Sequence, residues 1–161
     1  MENTLSGLAD LITRGGIYRE VKGNNPREVL KSLISSLPPL KSIPPAELLN
    51  VVLEREALMS TGIGGGIAIP HPRNPLAESE SAQFVALAFL EHPVDWNSLD
   101  GEQVDTLLLI VSSSARQHLQ ILSEITYFCR QEDFLSLIKS RKEGEELLSY
   151  IKNTEKNWRN K

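Results

Sequence analysis

Apolar residues recur every three or four positions in several segments of the chain, which is the spacing of one buried face of an α-helix. Glycine and proline pairs mark where some of these segments stop, because neither residue continues a helix well. The pattern predicts helices over residues 3–14, from Pro26 to Leu37 after an Asn25 cap, from Pro44-Pro45 to about residue 56, from a Ser114 cap to Cys129, and around residues 134–138 and 147–151.

Other segments predict strands. Residues 84–90 and 104–111 are too continuously apolar for half-exposed strands, so we expect central strands that are buried on both faces. Residues 17–22 predict an edge strand, and residues 67–69 a short buried strand. Helices before, between and after buried strands indicate one layered domain of the α/β or α+β class. We place it at residues 1–152, followed by a polar C-terminal tail, 153–161, that we expect to fray.

Composition narrows the function classes. The 161 residues carry a formal net charge of −4, which argues against a general nucleic-acid binder, because such proteins bind phosphates through basic residues. The single cysteine, Cys129, excludes an intrachain disulfide and suits a reducing compartment. No apolar run reaches the roughly 20 residues that span a bilayer, and the N-terminus lacks a signal-peptide pattern. We therefore expect a soluble, cytoplasmic protein that neither binds nucleic acid nor inserts into a membrane.

The stretch from Ser60 to Pro75, STGIGGGIAIPHPRNP, is the most informative part of the sequence. Its glycines can adopt positive φ or line a small concavity with backbone N–H groups, which suits an anion. His71 lies between Pro70 and Pro72, which bias the chain toward extended geometry and present the imidazole stiffly at a strand end. The alternative is a glycine loop that closes a hairpin, with a surface histidine beside it by chance.

Three side chains are candidates for chemistry. The imidazole of His71 is mostly neutral at pH 7 and is then a good nucleophile. His118 lies in the first turn of a predicted helix, where the helix dipole disfavours imidazolium, so it can donate an N–H to an oxyanion. The alternative for His118 is a histidine at the edge of the core. Arg55 has a permanent charge suited to phosphate oxygens, unless it is a surface arginine paired with Glu54 or Glu56.

Other chemistries fit poorly. The glycines lack both the following helix of a dinucleotide-binding fingerprint and the lysine of a nucleotide-binding P-loop. The three histidines and Cys129 lack metal-ligand spacing, so we predict neither a metal nor a cofactor. Phosphoryl transfer on and off His71 fits best, since it needs positioning and charge stabilisation. The residues expected to bind the phosphate are Ser60, Thr61, Gly64, Gly65 and Gly66.

The segment from Arg55 to His71, REALMSTGIGGGIAIPH, resembles the signature of the phosphotransferase-system enzyme IIA family of the fructose, mannitol and nitrogen-regulatory type. Two later pieces agree with the resemblance: PVDW at 93–96 through DG at 100–101, and ARQHL at 115–119 after an apolar strand. Together they cover most of the chain in the family's order. The resemblance implies a mixed β-sheet of about five strands with helices on both faces.

The resemblance also implies roles. His71 would accept a phosphoryl group from the phosphocarrier HPr or its nitrogen-branch counterpart, His118 would hydrogen-bond the oxyanion, and Arg55 would stabilise the phosphate. We expect a regulatory, nitrogen-type carrier whose further partner is a regulated target protein, with a sugar-specific component that passes phosphate to a IIB domain as the alternative. The family usually has glycine after the histidine, whereas Pro72 removes an N–H there. A binding module that has lost phosphoryl transfer is therefore a further alternative.

Overall fold

The computed structural model describes residues 7–40, 43–141 and 144–159. Its helices are α1 (Leu8–Gly15), α2 (Pro26–Ser36), α3 (Pro45–Leu58), α4 (Ala115–Cys129), α5 (Glu132–Ser140) and α6 (Gly144–Arg159). Its strands are β1 (Ile17–Val21), β2 (Gly62–Gly64), β3 (Ile67–Ala68), β4 (Phe84–Val94) and β5 (Val104–Val111). Residues 3–6 of the first predicted helix lie outside the described residues. Within the described ranges, no helix is long and apolar enough to pass through a bilayer.

The strands form one mixed sheet in the order β1-β4-β5-β3-β2. β1 is parallel to β4 and β3 is parallel to β5, whereas the β4–β5 and β2–β3 pairs are antiparallel. β1 forms one edge, as predicted, and the glycine segment forms the other edge as a tight hairpin of β2 and β3. The predicted α/β class with a five-stranded mixed sheet is therefore confirmed.

Alternate residues of the two central strands face opposite sides of the sheet and build a core on each side. Toward α2 and α3, the strands contribute Ala86, Ala88, Leu90, Leu107, Leu109 and Val111. Toward α1, α4, α5 and α6, they contribute Val85, Leu87, Phe89, Leu108 and Ile110. Helices thus cover both faces, which is why β4 and β5 lack the alternation of a half-exposed strand.

Local signals set the helix ends that place the site. The Asn25 side chain accepts a hydrogen bond from Glu28 N at the start of α2, and Ser114 Oγ accepts one from Gln117 N at the start of α4. Gly16 ends α1 with a φ of 94°, a backbone conformation that favours glycine. The caps predicted at Asn25 and Ser114 are therefore confirmed.

The last helix differs from the sequence prediction. α6 continues to Arg159, so residues 153–159 are helical rather than a frayed tail, and residues 160–161 lie outside the described residues. A long-range contact holds this part of α6 against α1: the buried Glu155 accepts a hydrogen bond of 2.8 Å at Oε2 from Leu8 N. A carboxylate there pairs a backbone N–H that has no partner within its own helix, and it complements the dipole of α1.

We expect Glu155→Ala to lower the free energy of unfolding by about 1–3 kcal/mol, because it leaves the buried Leu8 N–H without a partner. Glu155→Gln keeps an oxygen for that N–H and should cost less. The measurement is urea denaturation followed by circular dichroism. Asn153→Ala on the exposed side of α6 is the control, with an expected change within about 0.5 kcal/mol. Equal stability of Glu155→Ala and the wild type would contradict this capping role.

Candidate active site

His71 and His118 meet at one edge of the sheet. β3 and β5 are parallel neighbours, so their carboxyl ends lie on the same side of the molecule and form this edge. His71 follows β3 closely, and His118 lies in the first turn of α4, just after β5. Ile110 N donates to the Pro70 carbonyl at 2.9 Å and holds the His71 segment against β5. The centroids of the two imidazole rings are 4.6 Å apart, and the ring planes are tilted by 47°.

The His71 ring has a defined orientation. Its Nδ1 lies 2.7 Å from the Ile69 carbonyl oxygen. Because a carbonyl only accepts hydrogen bonds, Nδ1 carries the proton of the neutral ring, and the lone pair is on Nε2. Only 8 % of the residue is exposed. This burial argues against the alternative of a chance surface histidine.

Both imidazoles are held in the neutral form. Burial lowers the pKa of His71 and the charge of Arg55 lowers it further, while the bond to Ile69 and the charge of Glu56 act in the opposite direction. Burial lowers the pKa of His118 to about 4, and electrostatic interactions with a protonated His71 and with Arg55 act in the same direction. Burial thus adds to the helix dipole invoked from the sequence. Two neutral rings can lie this close without charge repulsion.

Arg55 joins the two histidines from α3. It is half-buried in the last turn of that helix, and its Nη1 donates to the Met59 carbonyl at 2.7 Å. Its positive charge lowers the pKa of both histidines. Glu56, a candidate partner of Arg55 in the sequence, bonds to a threonine instead. The structure therefore brings His71 and His118 into contact, with Arg55 near enough to act on both electrostatically, and the chemical roles of all three stay predictions.

Sequence reasoning missed Gln83, which holds the segment that carries His118. The residue is 1 % exposed, and its Oε1 accepts hydrogen bonds from Ser113 N and Oγ, both at 2.9 Å. Its Nε2 donates to Gln117 Oε1 at 3.3 Å. These bonds tie the N-terminus of α4 to the start of β4. The sequence signal is one polar residue directly before the apolar run 84–90, which is too weak to assign a role.

Ser60 and Thr61 lie at the start of β2, where their polar atoms have protein partners. Ser60 Oγ donates to the Trp96 carbonyl and accepts from Gly62 N. Thr61 N and Oγ1 both donate to Glu56, at 2.8 and 2.6 Å. These donors hold β2 in place, and the phosphate contacts expected of Ser60 and Thr61 stay predictions.

Gly64, Gly65 and Gly66 lie at the opposite end of β3 from His71. Gly65 and Gly66 turn the chain before β3, with φ of 66° and 84°. The extended chain from Gly66 to His71 spans about 16 Å. Gly65 N donates instead to Asp100 Oδ2 at 3.0 Å. The glycines therefore close a hairpin, and the structure does not place the predicted phosphate-binding nest beside the histidine.

Comparisons with known proteins place this site in a family. Residues 10–154 match the family model described as phosphoenolpyruvate-dependent sugar phosphotransferase system, EIIA 2. A nitrogen regulatory protein of Pseudomonas aeruginosa is 30% identical over 149 residues, which cover 89% of this chain and 94% of that protein. The PTS system 2-O-alpha-mannosyl-D-glycerate-specific EIIABC component of Escherichia coli is 29% identical over 152 residues, or 91% of this chain and 23% of that protein.

Solved structures show the same fold. The crystal structure of nitrogen regulatory protein IIA-Ntr from Neisseria meningitidis matches with a TM-score of 0.73 at 20% sequence identity, over 89% of this chain and 97% of that one. At this identity the structural likeness supports the fold alone, whereas the family model matches nearly the whole sequence. The chain therefore belongs to the EIIA 2 family of the phosphoenolpyruvate-dependent sugar phosphotransferase system.

Proposed function

We propose that this protein is a phosphohistidine carrier in which Nε2 of His71 accepts a phosphoryl group from an HPr-type phosphocarrier. The observation that carries the proposal is the bond between Nδ1 of His71 and the Ile69 carbonyl, which leaves the lone pair on Nε2. Burial keeps the ring neutral and therefore nucleophilic. The His118 ring lies beside the His71 ring, and the positive charge of Arg55 acts on the same site, where phosphoryl oxygens would be placed.

The transfer forms one bond and breaks one. The Nε2 lone pair attacks phosphorus while the bond between phosphorus and the donor's leaving atom breaks, and its electron pair stays with the donor. Nδ1 keeps its proton on the Ile69 carbonyl, so the phosphorylated ring is cationic. Arg55 and an N–H of His118 stabilise the negative phosphoryl oxygens. Because His118 is neutral, it donates without placing a second cation next to the ring.

Exposed apolar side chains support a protein as the phosphoryl donor. Leu58 and Met59 follow Arg55 and are 64% and 70% exposed. Leu119 follows His118 and is 66% exposed. Leu58 and Met59 are adjacent and both exposed, and neighbouring exposed apolar side chains are typical of interaction sites, whereas single ones are ordinary on a protein surface. A phosphocarrier that docks on them would present its phosphoryl group to His71.

We favour a regulatory, nitrogen-type role over a sugar-specific one. The Pseudomonas relative named nitrogen regulatory protein is matched over 94% of its length, whereas the mannosyl-glycerate component is matched over 23%. In either role the protein would act as a phosphotransferase component. Its cytoplasmic location stays a prediction. Pro72, which is buried and has no N–H to offer a phosphoryl group, is the observation behind the third alternative, a binding module without transfer.

His71→Ala should abolish phosphoryl acceptance, because it removes the nucleophile. The measurement is acid-labile label on the protein after incubation with enzyme I, an HPr-type protein and labelled phosphoenolpyruvate. His92→Ala, at an exposed histidine on β4, is the matched control and should retain the label. Label on His71→Ala would rule out His71 as the acceptor. A wild-type protein that takes no label would favour the binding module.

His118→Ala should slow phosphorylation while leaving His71 as the acceptor. Loss of one positioned donor to an oxyanion costs roughly 10²–10³ in rate. His118→Gln keeps an N–H donor and should recover part of the loss. Rapid-quench measurement of label on His71 gives the rates. A wild-type rate in His118→Ala would return this residue to a structural role at the edge of the core.

The regulatory role predicts that the phosphoryl group stays on His71 when a sugar-specific IIB domain is added. The experiment follows label on purified phosphoprotein with and without fructose-type and mannitol-type IIB domains. An unchanged half-life is the expected result, because a regulator would hold the phosphoryl group as a signal and not pass it to a transporter. Rapid passage of label to a IIB domain would overturn the regulatory role and support the sugar-specific one.

A further inference from the structure

Thr61 is a junction of hydrogen bonds behind the site. Its N and Oγ1 donate to Oε2 and Oε1 of Glu56, at 2.8 and 2.6 Å. Nε1 of the buried Trp96 donates to the same Oγ1 at 3.4 Å, and the Thr61 carbonyl accepts a bond of 3.0 Å from Ile69 N. Glu56 thus uses both carboxylate oxygens to fix a residue that is only 4 % exposed.

This junction connects α3 to the acceptor histidine. Ile69 bonds to Thr61 through its N–H, and its carbonyl accepts the Nδ1 proton of His71. Glu56 directly follows Arg55 on α3. One carboxylate therefore ties the helix that carries the arginine to the segment that carries the phosphoryl acceptor.

The charge of Glu56 also suits the reaction. The phosphorylated His71 ring is cationic, because Nδ1 keeps its proton while Nε2 binds phosphorus. Arg55 and His118 are the other titratable groups that act electrostatically with the histidine site, and the positive charge of Arg55 opposes a cationic ring. A carboxylate held nearby favours the imidazolium form.

We propose that Glu56 is a positioning residue of the phosphoryl site, which holds His71 as the Nδ1–H tautomer through Thr61 and Ile69 and stabilises the cationic phosphorylated ring by its charge. No proton moves to Glu56 in this scheme. The P–N bond to His71 forms, the donor's bond to phosphorus breaks, and Nδ1 stays protonated. The inference rests on the proposed function, since it concerns the same acceptor ring.

The test compares Glu56→Gln with Glu54→Gln. Glutamine keeps the shape of Glu56 but loses its charge. Its amide oxygen can still accept one bond from Thr61, but its amide nitrogen cannot accept the other. We expect Glu56→Gln to slow phosphorylation of His71 by roughly 10- to 100-fold, mainly through kcat. The same range holds for residues that orient a metal-ligating side chain without touching the metal. Glu54 is exposed near the same end of α3, so Glu54→Gln should keep the wild-type rate.

Nitrogen NMR of the His71 ring gives a readout that a purely structural role would not move. The wild-type ring should be the Nδ1–H tautomer. In Glu56→Gln it should become a mixture of tautomers, and the pKa of His71 should fall, because the negative charge that raises it is gone. Glu54→Gln should leave both the tautomer and the pKa unchanged.

Variants of Thr61 keep the proposal testable if Glu56→Gln does not fold. Thr61→Val loses the hydroxyl donor to Glu56 and should phosphorylate more slowly, whereas Thr61→Ser retains both donors and should recover most of that loss. Wild-type rate and tautomer in Glu56→Gln, or in Thr61→Val if the former is unfolded, would overturn this proposal and leave His71 as the acceptor. Unlabelled wild-type protein would overturn the proposed function instead, and the tautomer measurement would still decide the positioning role.

Discussion

The parallel pairing of β3 with β5 is the constraint on which the site depends. β3 has two residues, Ile67 and Ala68, paired with Thr106 and Leu107 of the longer strand. The register of this short pairing decides that His71 leaves the sheet near the carboxyl end of β5, where β5 leads into α4. Because successive residues of a strand face opposite sides, a slip by one residue would turn the chain after β3 away from α4 and separate the two imidazole rings.

Much of the glycine-rich signature fixes the backbone that leads to the histidine. The glycines allow a tight turn at the edge of the sheet, and Asp100 fixes that turn by accepting a bond from Gly65 N. Trp96 is buried below the hairpin and bonds to Thr61. Through these contacts the residues fix where Ile69 and the histidine after it lie.

The electrostatics of the site follow from burial and from two neighbouring charges on α3. Burial favours neutral imidazoles, which suits a nucleophile before attack and a hydrogen-bond donor beside it. Arg55 carries a positive charge of the kind that would suit phosphoryl oxygens. Glu56 carries the opposite charge on the next residue and is held by Thr61. The site thereby combines a positive charge and a carboxylate that act in opposite directions on the His71 ring.

Local patterns in the sequence are enough to predict the helices, the two central strands and the fold class, because hydrophobic periodicity and helix caps act over a few neighbouring residues. The same patterns single out His71, His118 and Arg55 as side chains with suitable chemistry. They do not decide which backbone N–H groups are available to an anion, so the phosphate-binding role of the glycine segment stays a prediction. Gly65 N finds its partner at Asp100, and Leu8 N finds its partner at Glu155, far away in the chain. Such pairings, like the burial of His71, depend on strand register and helix packing, and these arise only when distant segments come together in the folded protein.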